Sequence, residues 1–245
     1  MTNSTFILIH GAWHDSRCWQ KVAASLEQRG HKVLTPDLPG TGKNPADPAR
    51  TSLKAYSRYI SQLINNKDNI ILVGHSMSGV LIAQLAELLT PKIKRLVFLC
   101  AYVPSHGESL FSLIEKIRDN NQPFAIEAAM QLSQDKMTFT LLRSNAIPLL
   151  YNCCPAQEAH QLAEQLIAQP TLPFRGKVSL TDNKFGNCPK TYICALQDQV
   201  IPVKIQRKMA SAAAVDEYLQ MDCDHSPFHS SPNELAGLLH SLAQS

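Results

Sequence analysis

A chain of 245 residues, 44% of them hydrophobic, can bury one sizeable core, and its length argues for a single domain with an insertion rather than two domains. With 23 basic against 20 acidic residues the net charge is only +3, and neither KIKR (Lys92 to Arg95) nor KIQRK (Lys204 to Lys208) is dense enough to hold nucleic acid. The first apolar run, Phe6 to Ile9, has no basic region before it, and no stretch approaches the ~20 residues a membrane helix needs, so neither a signal peptide nor a membrane contact is expected.

Predicted strands and helices then alternate. TFILIH (Thr5 to His10) is the first strand, followed by the loop HGAW and a helix whose Trp19, Val22, Ala23 and Leu26 recur at helical spacing up to a stop at Gly30. HKVLTPDL (His31 to Leu38) is the second strand. Leu53, Tyr56, Ile60, Leu63 and Ile64 form the next helical stripe, capped by Thr51 or Ser52. NIILVG (Asn69 to Gly74) leads straight into the apolar helix MSGVLIAQLAELL, and RLVFLCAYV (Arg95 to Val103) is the fourth strand. Continuous runs of Val, Ile and Leu of this kind suit parallel strands covered on both faces.

The rhythm breaks from about Pro104 to Pro189. Helical stripes persist there, one at Leu110, Phe111, Ile114 and Ile117, another at Ala159, Leu162, Ala163 and Leu166 opened by Pro155, but no strong buried-strand run does. The rhythm resumes with KTYICAL (Lys190 to Leu196), a helix opened by Pro202, and the alternating VDEYLQM (Val215 to Met221), which suits a strand near an edge. SPNE then predicts a capping box from Ser231 to Glu234, ahead of Leu235, Leu238, Leu239 and Leu242. The fold class is therefore α/β, a mostly parallel sheet with helices on both faces. Residues 1–103 and 189–245 form its core, and residues 104–188 a largely helical cap insertion over one end of the sheet.

In such sheets ligands bind beyond the carboxyl ends of the strands, and GHSMSG stands at one of them. Gly-x-Ser-x-Gly at a strand-to-helix turn marks a serine nucleophile, but here the fifth place holds Ser78 and the glycine comes one residue late, at Gly79. With Ser78 at the apex, the β-branched Val80 would fall where helix and strand pass closest. Ser76 is the better nucleophile candidate. Taken alone, the defective motif could equally be a Gly/Ser-rich loop.

A serine hydroxyl needs a base, and the base needs a carboxylate to fix its tautomer. Asp198, just past one strand, and His225, just past the next, follow the serine in the order this architecture demands. Asp224 adjoins His225 too closely to reach the far side of the ring, Asp222 lies nearer the strand, and Asp182 falls in the cap. His75 should point away from the active face. His229 and Cys223 hint at metal ligands, but Pro227 spoils the helical spacing and no metal is expected. Oxyanion donors are expected from the backbone N–H of Met77, next to the nucleophile, and of Ala12, where Gly11 lets the first loop come close. His10 reads as a structural residue. The seven cysteines follow no metal-ligand spacing, and Cys100 and Cys194 sit in apolar runs as reduced thiols do, so a cytoplasmic location is expected.

ILIHGAWHDSRCW, VGHSMSG, ICALQDQVIP and DHSPF together resemble the α/β-hydrolase family, and more narrowly its branch of plant methyl esterases of the salicylate-binding type and hydroxynitrile lyases. The likeness runs from first strand to last helix and is weakest in the cap. It implies a catalytic triad of Ser76, Asp198 and His225, with Ala12 and Met77 at the oxyanion, no cofactor, and a homodimer. Ser226 follows the histidine where the lyases carry a lysine, and Gly11 stands where the best-known lyases have threonine. Both departures point to ester hydrolysis. The expected activity is that of a serine carboxylesterase acting on small to medium apolar or aromatic esters, methyl esters among them. A hydroxynitrile lyase, an acyltransferase or C–C hydrolase, and a low-turnover ligand receptor are the competing readings.

Overall fold

A computed structural model describes residues 4–118 and 122–245. Six strands form one sheet: β1 (Thr5–Ile9), β2 (Lys32–Leu34), β3 (Ile70–His75), β4 (Ile93–Leu99), then β8 (Lys190–Ala195) and β9 (Glu217–Met221). Their order is β2-β1-β3-β4-β8-β9, and every neighbouring pair is parallel. Between them run α1 (Gln20–Gln28), α2 (Leu53–Leu63), α3 (Ser78–Leu89) and α8 (Val203–Ala212), and α10 (Pro232–Gln244) closes the chain after the short α9 (Pro227–Ser230).

Successive strand residues point to opposite faces, so an apolar run must find cover on both sides. Phe6, Leu8, Ile71, Val73, Val97 and Leu99 pack with Trp19, Val22 and Leu26 of the α1 region and with Leu235 and Leu239 of α10. Their alternates Ile7, Ile9, Ile70, Leu72 and Phe98 pack with Tyr56 and Ile60 of α2, Leu81 and Leu85 of α3, and Ile205 and Met209 of α8. Burying each such side chain contributes about 1.5–3 kcal/mol.

Some element ends differ from the sequence pattern. β2 stops at Leu34, because Pro36 has no N–H to extend an edge ladder. β4 ends at Leu99, where Cys100 turns into the left-handed region (φ 35°) and sends Ala101 to Val103 out of the sheet. Ser231 makes no side-chain cap. Its backbone N–H bonds Pro227 O at 2.9 Å, because α9 runs directly into α10 and occupies the turn the capping box would need. Leu63 is exposed, since the buried arc of α2 is narrower than its stripe.

Between β4 and β8 lie α4 (Leu110–Ile117), α5 (Ala125–Ala129), α6 (Arg143–Leu150) and α7 (Ala156–Glu164). They are joined by a small antiparallel sheet of β5 (Met130–Leu132), β6 (Thr138–Leu141) and β7 (Gln169–Pro170), in the order β5-β6-β7. Strands of two to four residues are too short to leave a readable period in the sequence.

Candidate active site

The ends of β1, β3, β8 and β9 converge at the carboxyl edge of the sheet. Immediately after β3 the chain turns at Ser76 with φ of 54°, a strained conformation for a side-chain-bearing residue. Two backbone bonds hold the turn: Ser76 N–H to Leu99 O (3.2 Å) and Tyr102 N–H to Ser76 O (3.1 Å). A Cβ on Gly74 would stand 2.7 Å from Ser78 O, so the first glycine is sterically required. The late glycine is required more severely, since a Cβ on Gly79 would meet Tyr102 O at 2.1 Å. Ser78 fits in the fifth place because its hydroxyl donates to His10 O at 2.5 Å, tying the first turn of α3 to the end of β1. Gly79→Ala is therefore expected to destabilise the fold by about 3 kcal/mol. An unchanged denaturation midpoint would show that Tyr102 can retreat without cost.

Ser76 Oγ donates to His225 Nε2 at 3.0 Å, and His225 Nδ1 donates to Asp198 Oδ2 at 2.7 Å. Asp198 accepts only, which puts the ring proton on Nδ1 and leaves Nε2 as the acceptor. The two loops meet because β8 and β9 pair in parallel and Gln197 N–H extends their ladder to Cys223 O (2.9 Å). Asp198 is saturated: Val200 N–H (2.7 Å) and Ile201 N–H (2.9 Å) bind Oδ1, and Gln206 Nε2 (3.0 Å) joins His225 on Oδ2. Gln206 was not singled out by the sequence pattern. Its signal is a polar residue on the buried side of α8, eight positions after the acid.

The rival residues have other work. Asp224 is fully buried and accepts from Cys153 N–H, Ser226 N–H and Ser230 Oγ, holding the histidine loop to the segment after α6. Asp222 is exposed and accepts from Gln197, and Asp182 lies at the start of a helical turn far along the insertion. His75 diverges from Ser76 but packs behind His225, and its Nε2 donates to His225 O at 2.8 Å. Burial first, then the adjacent His225 and His14, drive its pKa well below that of free histidine. Gly11 makes room for this, since a Cβ there would lie 2.6 Å from His75 Nδ1 and 2.9 Å from Ser76 Cβ. His10 donates from Nδ1 to Gly11 O and accepts at Nε2 from Leu38 N–H, a structural arrangement. His75, Cys100 and His225 come within 4.8 Å of one another, but both nitrogens of His225 are taken by Ser76 and Asp198.

No other described residue takes up the backbone N–H of Ala12 or of Met77, and both residues line one cavity with Ser76. The Ala12 loop is fixed on two sides. His14 Nδ1 donates to Ala12 O (3.0 Å) and the Tyr151 hydroxyl donates to His14 Nε2 (3.0 Å), while Ile167 N–H bonds Trp13 O (2.9 Å). Burial, and then His229, push His14 down to about 3, so it remains neutral in this role. The cavity measures about 150 Å³, and its wall is mostly apolar, with Leu110, Phe111, Ile114, Ile126, Met130 and Phe174 among its residues. Ser226 is not on that wall; it is fully buried behind the loop.

The profile of the alpha/beta hydrolase family matches residues 6–238. Methylesterase 7 of Arabidopsis thaliana is 31% identical, over 97% of this chain and 95% of its own. Methyl jasmonate esterase 1 of Vitis vinifera is 28% identical, over 98% and 97%. The crystal structure of polyneuridine aldehyde esterase superposes with a TM-score of 0.88 at 24% identity, covering 99% of this chain and 100% of that one.

Proposed function

The chain belongs to the alpha/beta hydrolase family and is a carboxylic ester hydrolase, and from that premise we propose that Ser76 is its nucleophile, His225 its base and Asp198 the acid that orients the base. The observation that carries the reading is the unbroken relay from Ser76 Oγ through His225 to Asp198.

As Ser76 Oγ attacks the ester carbonyl carbon, His225 Nε2 takes the hydroxyl proton. Asp198 stabilises the imidazolium without accepting its proton. The N–H groups of Ala12 and Met77 donate to the oxyanion, a contribution of the order of 10²–10³ in rate for each donor. Collapse breaks the bond to the alcohol oxygen, which His225 protonates as the alcohol leaves. Water, deprotonated by the same nitrogen, then attacks the acyl-enzyme and frees the acid and the serine. The apolar wall favours small to medium aliphatic or aromatic acyl groups, and the names of the relatives support methyl esters as candidates among them. In this reading residues 104–188 cap the site and the remainder is the catalytic core. The cytoplasmic assignment is supported by the free state of all seven cysteines. The homodimer belongs to the same proposal. No helix among the described residues is long and apolar enough to cross a membrane.

A serine-reactive phosphonate is expected to label the chain once, at Ser76, and to abolish steady multiple turnover of p-nitrophenyl butyrate. Label on another residue would remove the nucleophile assignment, and a single burst without further product would favour a receptor. Mandelonitrile should release no cyanide above the uncatalysed rate. Among the described residues no lysine lines the cavity, and the arginine on its wall, Arg118, is paired with Glu127.

A further inference from the structure

We infer that Tyr151, in the segment between β4 and β8, is a positioning residue for the reaction, acting through His14 on the Ala12 donor of the oxyanion. This role rests on the esterase reading of the same site.

Ala12 precedes a strained turn, because Trp13 has φ of 62°, in the left-handed region that a bulky side chain disfavours. Such a conformation persists only where outside contacts hold it. Two contacts do so, one from His14 Nδ1 to Ala12 O (3.0 Å) and one from Ile167 N–H to Trp13 O (2.9 Å). The N–H and C=O of Ala12 flank a single Cα, so a shift of the carbonyl swings the donor beside it.

His14 can hold Ala12 only as one tautomer. A carbonyl accepts and cannot donate, so the ring proton must stand on Nδ1. The Tyr151 hydroxyl, 3.0 Å from Nε2, fixes that choice by donating there. Burial pushes this phenol well up, so its proton stays on oxygen. The His14 ring has no room to swing, since His75, Phe228, His229 and Tyr151 surround it at 5.4–6.4 Å between centroids. Without the hydroxyl, the buried Nε2 either stays bare or takes the ring proton. In the second case two lone pairs oppose each other at Ala12 O, and the hold on the loop is lost. Tyr151 is itself well anchored. Cys154 N–H bonds Tyr151 O (3.0 Å), Asn152 Nδ2 bonds Gln197 O (3.0 Å) beside Asp198, and Cys153 N–H bonds Asp224 Oδ2 (2.9 Å) beside His225. One turn thus reaches the oxyanion, acid and base loops.

The test compares the wild-type protein with Tyr151→Phe, which keeps the ring and removes one oxygen. With p-nitrophenyl butyrate kcat should fall about tenfold and KM stay within about twofold, since an oxyanion donor acts only in the transition state. Two inhibitors locate the loss. An alkyl trifluoromethyl ketone forms an adduct with Ser76 that carries an oxyanion, and the matching secondary alcohol occupies the cavity without one. The ratio of their inhibition constants should shift about tenfold against the ketone. His14→Asn supplies a third arm, because its amide nitrogen stands where Nδ1 does and donates to Ala12 O with no tautomer to choose. In that background Tyr151→Phe should change kcat by no more than about twofold, whereas a merely structural tyrosine would cost the same in both. An unchanged kcat in Tyr151→Phe would overturn the inference. A loss shared equally by ketone and alcohol would do the same, as would a loss of full size in the His14→Asn background. Should His14→Asn fail to fold, the ketone-to-alcohol ratio in Tyr151→Phe decides alone. An adduct at Ser76 with an unmoved ratio would defeat this role only. A wild-type protein that forms no adduct there would defeat the esterase reading and this role with it.

Discussion

Ser76→Ala is expected to lower kcat for p-nitrophenyl butyrate by a factor of about 10³ or more, while Ser78→Ala retains most of the activity. The two serines lie two residues apart on one turn and do opposite work. Ser76 Oγ lies on the cavity and donates to His225 Nε2, so in the proposed mechanism its loss removes the covalent route. The turn itself should survive, because Ser76 is held by backbone bonds from Leu99 and Tyr102 that alanine keeps. Ser78 Oγ instead faces the carbonyl of His10. Removing it leaves a buried acceptor without that donor, a cost of about 1 kcal/mol, or a few degrees in the thermal midpoint of a chain this long. Kinetics and thermal unfolding of both variants separate the roles. An inactive Ser78→Ala beside a working Ser76→Ala would move the nucleophile.

The core of the fold is legible because both-face burial leaves a plain mark. β1, β3, β4 and β8 are continuous apolar runs, and β9, which alternates, is the edge strand on its side of the sheet. The juxtaposition of Ser76, Asp198 and His225 is legible for a related reason. Parallel strands end on one edge, so residues just past β3, β8 and β9 must gather there. What is not legible depends on contacts distant in sequence. Counting from the serine makes Gly79 look misplaced, whereas the steric demand is set by Tyr102 O, which reaches α3 only because Cys100 turns the chain out of the sheet. The capping box at Ser231 is a local pattern overridden by the helix that precedes it. Gln206 is hidden because its partner is an acid on a neighbouring loop, and a lone glutamine carries no motif.

Asp198→Asn is expected to lower kcat by about 10⁴, the largest loss among substitutions that keep the shape of the site. The four donors around Asp198 explain why an amide cannot replace the carboxylate. If the amide oxygen stays with Val200 N–H and Ile201 N–H, the NH₂ group must face Gln206 Nε2 and His225 Nδ1. Gln206 cannot turn to accept it cheaply, since its Nε2 also donates to Ile201 O (2.7 Å) and its Oε1 accepts from Ala195 N–H (3.2 Å). His225 can accommodate the amide only by presenting a bare Nδ1, which moves the ring proton to Nε2. That proton then faces Ser76 Oγ, and the base has no lone pair for the serine. Turning the amide the other way sets its NH₂ against two backbone N–H groups that have nowhere to go. Either arrangement leaves a buried donor unpaired, so a stability loss of about 1–3 kcal/mol should accompany the kinetic one. Asp222→Asn and Asp182→Asn should change kcat by no more than about twofold, since neither carboxylate meets the ring and surface substitutions of this kind cost little. Asp224→Asn, buried at the root of the histidine loop, should lower the unfolding midpoint without the 10⁴ loss in turnover. Near-wild-type rates for Asp198→Asn together with an inactive Asp222→Asn or Asp224→Asn would place the orienting acid on the later loop, and would mean that His225 turns over in the working enzyme.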